Sequence, residues 1–289
     1  MRFWKYHALG NDYLVLDPRH WPTPPDGPTA RRLCDRHRGI GADGILYGPI
    51  PDQPPFSLLI FNSDGSQAEK SGNGLRIFAR FLRQMGYVNG RTTLTLRTPQ
   101  AEAVIELLSP DGSTSRVAMG KASADSVALG LVGPPRTTWH EQIHVGGHVL
   151  RCSLVSVGNP HCVVWADASD LKANSLKALA MRYGPLIEGH EMFPNRTNVQ
   201  FARVLDQGQI QIEIWERGSG YTLASGSSSC AVAAAAHHLG LVGPDVTVHM
   251  PGGALHVAIG ADGTLWLTGP VTYVCQGTCS AELTRSSQT

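Results

Sequence analysis

The 289-residue chain lacks any concentration of charge of one sign. Its 24 Lys and Arg balance 23 Asp and Glu, for a net charge of +1 at pH 7, and no basic run is longer than Arg31-Arg32. A nucleic-acid surface needs a concentrated basic footprint to neutralise phosphates, so that class of partner is excluded. Long apolar runs are missing too. The longest helical one, Ala231–Ala236, is cut by His237-His238, far short of the 18 or more residues that span a bilayer. Membrane insertion is therefore not expected. The opening Met1-Arg-Phe-Trp-Lys-Tyr-His7 has no apolar segment of the kind a secretory leader carries, and a cytoplasmic location is expected. Cysteine is scarce, at 34, 152, 162, 230, 275 and 279. A chain this long buries a sizeable core without staples, and a reducing compartment disfavours disulfides, so none is predicted. Cys275-Gln-Gly-Thr-Cys279 has no partnering Cys or His pair nearby, which argues against zinc. His144-Val-Gly-Gly-His148 has the spacing of a helical metal pair, but its two glycines predict a hairpin turn. No metal is expected.

A repeat is present instead. Lys70-Ser-Gly-Asn-Gly-Leu-Arg76 and Ala224-Ser-Gly-Ser-Ser-Ser-Cys230 each open a helical pattern. Each pattern stops at a glycine 15 residues after its first serine, Gly86 and Gly240. Gly10-Asn11-Asp12-Tyr13 answers to Gly158-Asn159-Pro160-His161, and the turn Asp111-Gly112 answers to Asp262-Gly263. Offsets of about 150 mean two similar half-domains, expected at 1–125 (joined by 276–289) and 126–275. Such a pair can aim two helix N-termini at one ligand.

Strand-like runs dominate: Phe56–Phe61, Thr93–Arg97, Val104–Leu108, Arg116–Met119, Val149–Val155, Val163–Trp165, Val199–Val204 and Gln209–Trp215. Amphipathic helices are predicted over Thr29–His37 and Asp170–Arg182. Residues 21–28 and 49–55 read as proline-rich surface loops, and 285–289 as a frayed end. In the first repeat helix Leu75, Phe78, Ala79 and Leu82 share a face, while Cys230–Leu239 is apolar nearly all round. A helix apolar on all sides is buried. The predicted class is α+β, with two pseudo-symmetric domains, each a mostly antiparallel sheet or barrel wrapped around a central helix.

An ordered set of motifs runs over most of the chain: His7-Ala-Leu-Gly-Asn11-Asp12, Arg38-Gly-Ile-Gly-Ala-Asp43-Gly44, Asn62-Ser-Asp-Gly-Ser66, Ser71-Gly-Asn-Gly74, Gly158-Asn-Pro-His161, Thr197-Asn198-Val199, Trp215-Glu-Arg-Gly218 and Gly269-Pro270. Together they resemble the diaminopimelate epimerase family, within the wider group of cofactor-independent racemases that includes proline racemase. Gly72-Asn-Gly74 alone is a poor dinucleotide fingerprint, because a polar loop and not a strand precedes it. The resemblance implies an isomerase of amino-acid metabolism, in lysine biosynthesis. It implies a small amino-acid-like substrate, no metal or organic cofactor, and a monomer or homodimer.

In the family so resembled, the substrate's Cα sits between two cysteines at the N-termini of the repeat helices. One thiolate removes the α-proton and the opposing thiol delivers one to the other face. This chain departs from that pattern at its centre, because the matching positions are Ser71 and Ser225. A serine hydroxyl is a far weaker acid than a thiol of pKa about 8.5. A helix dipole supplies on the order of 1 kcal/mol, roughly one pKa unit, which does not close the gap. A serine base needs an activating partner. Further departures at Gly44, Lys70, Tyr221 and Ser225-Gly-Ser-Ser228 read as natural divergence.

The catalytic candidates are Ser71, Ser225 and His161, the histidine as general base because its ordinary pKa is about 6.5. A purely structural histidine is an equal alternative. The family match carries substrate binding to Asn11, Asn62, Gly72, Asn73, Asn159, Asn198, Glu216, Arg217, Tyr221, Gly226 and Ser227. Asparagines beside glycines also shape turns. Beside the epimerase reading stand two others: a proton-shifting isomerase or dehydratase on another metabolite, as in the related phenazine-pathway isomerases, and a non-catalytic amino-acid binder.

Overall fold

The sequence repeat is a repeat of elements. In a computed structural model, which describes residues 1–51, 54–68, 71–168 and 175–284, the first half runs β1 (Arg2–Ala8), β2 (Asn11–Leu16), α1 (Gly27–Cys34), β3 (Gly44–Ile50), β4 (Phe56–Asn62), β5 (Gln67–Ala68), α2 (Gly72–Gln84), β6 (Thr93–Arg97), β7 (Glu102–Leu107) and β8 (Thr114–Lys121). After β9 (Glu141–Val145) the same order returns. It comprises β10 (His148–Ser156), β11 (Pro160–Trp165), α3 (Leu176–Glu188), β12 (Asn198–Asp206), β13 (Gln209–Glu216), β14 (Gly220–Thr222), α4 (Gly226–His238), β15 (Asp245–Met250), β16 (Gly253–Ile259) and β17 (Thr264–Pro270). The chain closes with β18 (Thr272–Thr278) and α5 (Ala281–Thr284).

Pairing repeats along with order. β2 and β3 are parallel, as are β11 and β12. β4 joins β6 in parallel across α2, and β13 joins β15 in parallel across α4. Hairpin ladders such as β1–β2, β6–β7, β10–β11 and β15–β16 are antiparallel. The partner of each repeat's first strand comes from outside the repeat: β18 runs antiparallel to β1, and β9 antiparallel to β10. The chain folds as two units, Met1–Val117 with Thr268–Thr289 in one and Ala118–Leu267 in the other.

Each unit has a thirteen-residue helix in its core. In the first, α2 packs against β1, β2, β3 and β7. Its Leu75, Phe78, Ala79 and Leu82 are buried with Ile77 and Phe81, and Trp4 meets Phe81 edge-on at 5.3 Å. In the second, α4 lies against β10, β11, β12, β15 and β16. Cys230 through Ala236 are all buried there, so small side chains bring strands close on every side. Both helices stop by one device. Gly86 and Gly240 adopt φ of 76° and 70°. The bonds Gly86 N–H to Arg83 O and Tyr87 N–H to Leu82 O recur as Gly240 to His237 and Leu241 to Ala236. Glycine takes this left-handed cap without a Cβ clash.

Three expectations need correction. The stretch 21–28 is not simply a surface loop, since Trp21 is buried and donates Nε1–H to Arg2 O at 2.8 Å. Asp26 caps α1 there, accepting from Thr29 N–H, and Pro28 sits in the first turn, where its missing donor costs nothing. Pro49 lies inside β3 rather than in a loop. The helix predicted from Asp170 begins at Leu176 behind the Ser175 cap and passes Pro185 to end at Glu188; 170–174 lie outside the described residues. Burial of Leu179, Tyr183, Gly184 and Ile187 outweighs the proline penalty of about 3 kcal/mol. A Cβ on Gly184 would come within 2.7 Å of Trp215, so glycine is what permits this approach.

The Gly146-Gly147 turn between β9 and β10 has φ of 58° and 79°, as a two-residue hairpin requires. All six cysteines are free. Among the described residues no cluster of three or more His, Cys, Asp or Glu could hold a metal ion, and no helix is long and apolar enough to cross a membrane.

Candidate functional site

Ser71 caps α2 from an extended backbone (φ −138°, ψ 114°). Its Oγ accepts the Gly74 N–H at 3.0 Å and lies 3.1 Å from the hydroxyl of Tyr13 on β2. Gly72 and Asn73 follow in the first helical turn, both buried. Fully buried Arg76, one turn on, donates to Gly72 O at 3.3 Å and to Asn73 Oδ1 at 2.8 Å. Asn73 Nδ2 donates to Asn11 Oδ1 at 3.1 Å, and Asn11 Nδ2 donates to Asp43 Oδ2 at 3.0 Å. Asp43 meets Arg36 at 2.7 Å, and Arg36 and Lys5 both bind Asp12. Burial raises the Asp12 pKa, but the bonds from Arg36 and Lys5 outweigh it and hold the carboxyl below the usual range. A file of polar groups thus links the α2 N-terminus to the β1–β2 turn. Asn62 stands apart from this file: it is exposed and donates to Ser66 Oγ at 2.9 Å, the turn-shaping role. Lys70 lies outside the described residues.

The second unit repeats the cap and changes what surrounds it. Ser225 caps α4 at φ −143°, ψ 125°. Its hydroxyl lies 3.4 Å from Ser227 Oγ and 3.5 Å from the Ser228 nitrogen. Gly226 is buried behind it. His161 on β11 is fully buried. Its Nδ1 faces Gln200 Nε2 at 3.0 Å and its Nε2 faces Asn159 Oδ1 at 2.9 Å. An amide nitrogen only donates, so the network assigns the ring proton to Nε2. Burial, helped by the charge of Arg217, pushes the pKa of His161 down to about 3. Both ring nitrogens are engaged within the unit, so the geometry presents a neutral histidine that fixes Asn159 rather than the open general base expected from the sequence.

Asn198 is similarly committed, donating to Pro160 O at 2.9 Å and accepting the Arg217 N–H at 3.0 Å. Arg217 is exposed and donates one guanidinium N–H to Asn195 O at 3.2 Å; a guanidinium has five such donors. Glu188 binds the same turn, taking Gly218 N–H at 2.9 Å and Trp215 Nε1–H at 2.7 Å. Glu216 accepts from Thr222 Oγ1 at 3.3 Å. The Tyr221 hydroxyl donates to Glu213 Oε2 at 2.7 Å. Burial and that carboxylate push its pKa up to about 12, so it holds its proton through the physiological range.

Sequence reasoning missed Tyr13, Arg76, Gln200 and Glu188. For Tyr13 a signal existed, since the repeat sets it opposite His161. Gln200 lies two residues after Asn198 on one strand, hence on the same face. The other two are visible only in three dimensions.

A family model described as diaminopimelate epimerase matches residues 3–124 and 153–274, one block for each repeat. The chain belongs to the diaminopimelate epimerase family. The "Diaminopimelate epimerase 2" of Nostoc sp. (strain PCC 7120 / SAG 25.82 / UTEX 2576) is 46% identical over 98% of this chain and 97% of its own length. The diaminopimelate epimerase of Synechococcus sp. (strain JA-3-3Ab) is 39% identical over 96% and 98%. Among solved structures, a probable proline racemase from Agrobacterium radiobacter K84 is similar with a TM-score of 0.69 at 16% identity, covering 97% of this chain and 93% of that one. A hydroxyproline epimerase from Agrobacterium vitis is similar at the same TM-score and 14% identity, covering 96% and 91%. At such identities the likeness is one of fold: two α+β halves, each with strands around a helix.

Proposed function

We propose that this member of the diaminopimelate epimerase family is a cofactor-independent epimerase that inverts the α-carbon of a small amino-acid-like substrate. Ser71 and Ser225 take the positions that the family resemblance gives to its two cysteines. One observation carries the reading: the two serines cap equal-length helices with matching extended backbones, inside motifs that repeat. The names of the relatives support diaminopimelate as the substrate. The free N–H groups of a helix's first turn favour the negative charge that develops when an α-proton leaves.

In this reading Gly72, Asn73, Gly226 and Ser227 line those two first turns. The exposed guanidinium of Arg217 takes the substrate carboxylate in a two-pronged contact. Asn11, Asn159, Asn198, Glu216 and Tyr221 shape the binding surface through the bonds they already make, and Asn62 acts from its turn. His161 orients Asn159. A homodimer, a cytoplasmic location and a place in lysine biosynthesis accompany the reading, the last following the family's name.

Proton NMR in D2O tests it, using L,L- or meso-diaminopimelate beside a panel of amino acids. Loss of an α-proton signal, with inversion, is expected for one of them. No exchange with any, at high protein concentration and long times, would sink the epimerase reading.

A further inference from the structure

A serine near neutral pH needs a partner that can hold a proton for it. The first unit supplies one. The Tyr13 phenol lies 3.1 Å from Ser71 Oγ, within hydrogen-bond reach, and Tyr13 is buried. Ser71 already accepts the Gly74 N–H, so its own hydroxyl proton is available for exchange with the phenol. A phenol is several units more acidic than an aliphatic alcohol, so its anion forms far more readily than a serine alkoxide.

Two further observations single out this pair. Tyr13 stands beside Gly44 in the parallel β2–β3 register. A Cβ at 44 would meet Tyr13 Cε1 at 2.7 Å and Cδ1 at 3.1 Å, besides the Phe61 carbonyl. The missing side chain is what lets the ring lie across β3. The repeat also sets Tyr13 opposite His161, whose two nitrogens are bound to Gln200 and Asn159, while Ser225 meets the hydroxyl of Ser227 and the Ser228 N–H. The two halves therefore differ in what backs their serines.

We infer that Tyr13 holds the proton for Ser71, a positioning residue that supplies, through the serine, the acid–base capacity serine lacks. This rests on the epimerase reading. When Ser71 Oγ takes the α-proton, the serine's own proton passes to the Tyr13 phenolate oxygen. One C–H and one O–H bond break, two O–H bonds form, and the C–H electron pair stays on the substrate carbon. Reprotonation is the reverse.

The test is Tyr13→Phe in the intact chain. Exchange of the α-proton should fall by about 10²-fold or more, the lower range for general acid–base catalysis. Thermal stabilisation by the same amino acid should persist. Adding Ser71→Cys to Tyr13→Phe should restore exchange, because a thiol needs no phenol behind it. Unchanged exchange in Tyr13→Phe overturns the inference. A second readout needs no turnover: iodoacetamide modification of Ser71→Cys, followed on its peptide by mass spectrometry at pH 7. Labelling should be about tenfold faster with Tyr13 intact than in the double variant with Tyr13→Phe, the worth of a hydrogen bond to a charged thiolate. Equal rates overturn the pairing. If the wild-type protein exchanges no amino acid, the epimerase reading falls, and the labelling ratio still decides on Tyr13.

Discussion

The side-chain amide of Gln200 donates to Nδ1 of His161 at 3.0 Å, and Nε2 of the same ring meets Asn159 Oδ1 at 2.9 Å. These two contacts determine what the histidine can do. Its one lone pair is occupied, its one N–H orients an asparagine, and burial holds it neutral down to about pH 3. Gln200 also donates to Ser228 Oγ at 3.0 Å, which couples the histidine to the first turn of α4.

A histidine neutral in the fold and ordinary in the unfolded chain makes stability depend on pH. Below the unfolded pKa of about 6.5 the unfolded state binds a proton that the folded state refuses until about pH 3. The unfolded state then binds more protons, so stability falls as pH falls through that window. The loss is about 2 kcal/mol between pH 6 and pH 4, on the basis of roughly 1.4 kcal/mol per proton per pH unit. Urea midpoints across this range should show the slope in the wild-type protein and lose it in His161→Gln. Parallel slopes would mean that His161 is not the source.

Gln200→Glu should reverse the histidine's preference. A carboxylate in place of the amide accepts a proton from Nδ1, while Asn159 still accepts from Nε2, so the doubly protonated ring gains a partner at each nitrogen. The NMR titration of the His161 ring should move upward from about 3. An unmoved titration would show that burial alone governs the ring.

The fold was legible because it is written twice. Glycine-terminated helices and matched Gly-Asn turns at offsets of about 150 made the order of elements readable, and strands such as Thr93–Arg97 fell where alternation placed them. Element ends were less legible where Pro28 and Pro185 carry signals that a loop or a helix end would also carry. The serine caps were legible as positions. What surrounds them was not, because Tyr13 reaches Ser71 from a strand 58 positions away in sequence, and Gln200 reaches Ser228, in the first turn behind Ser225, from 28 positions away. Linear spacing cannot encode such contacts. For the histidine the sequence left base and structural roles equal, because its burial and its bonds to Gln200 and Asn159 arise only in three dimensions.

Replacing both serines by cysteine tests how much of the family's chemistry the scaffold still supports. In Ser71→Cys with Ser225→Cys, a thiol of ordinary pKa about 8.5 stands at each helix N-terminus, where the dipole favours the thiolate. Epimerisation of diaminopimelate should rise by about 10²-fold or more over the wild-type chain, on the scale of acid–base catalysis. Loss of each serine cap should cost about 1 kcal/mol of stability, visible as a lower melting temperature. A double variant that melts lower, as expected, but gains no rate would mean that the binding surface has diverged along with the serines.

The file from Arg76 through Asn73 and Asn11 to Asp43 has a cation at one end and a carboxylate at the other. An asparagine amide by itself can face either way. Here the guanidinium requires an oxygen from Asn73, which turns its NH2 to the Asn11 oxygen, which turns that NH2 to Asp43. The orientation of Asn11 at the β1–β2 turn is thus set from inside α2. In Arg76→Met, Asn73 Oδ1 loses this donor, at a cost of about 1–3 kcal/mol for a buried polar group left short of a partner. The urea midpoint should fall with its slope unchanged. If Asn11 serves the substrate, KM should rise more than kcat falls, because the Ser71 hydroxyl's own bonds, to the Gly74 N–H and the Tyr13 hydroxyl, include neither asparagine amide. Arg76→Lys should recover only part of both effects, since an ammonium cannot bond Gly72 O and Asn73 Oδ1 with the planar fork that now spans them. A midpoint and KM unchanged in Arg76→Met would show that the asparagines hold their orientation without the charge.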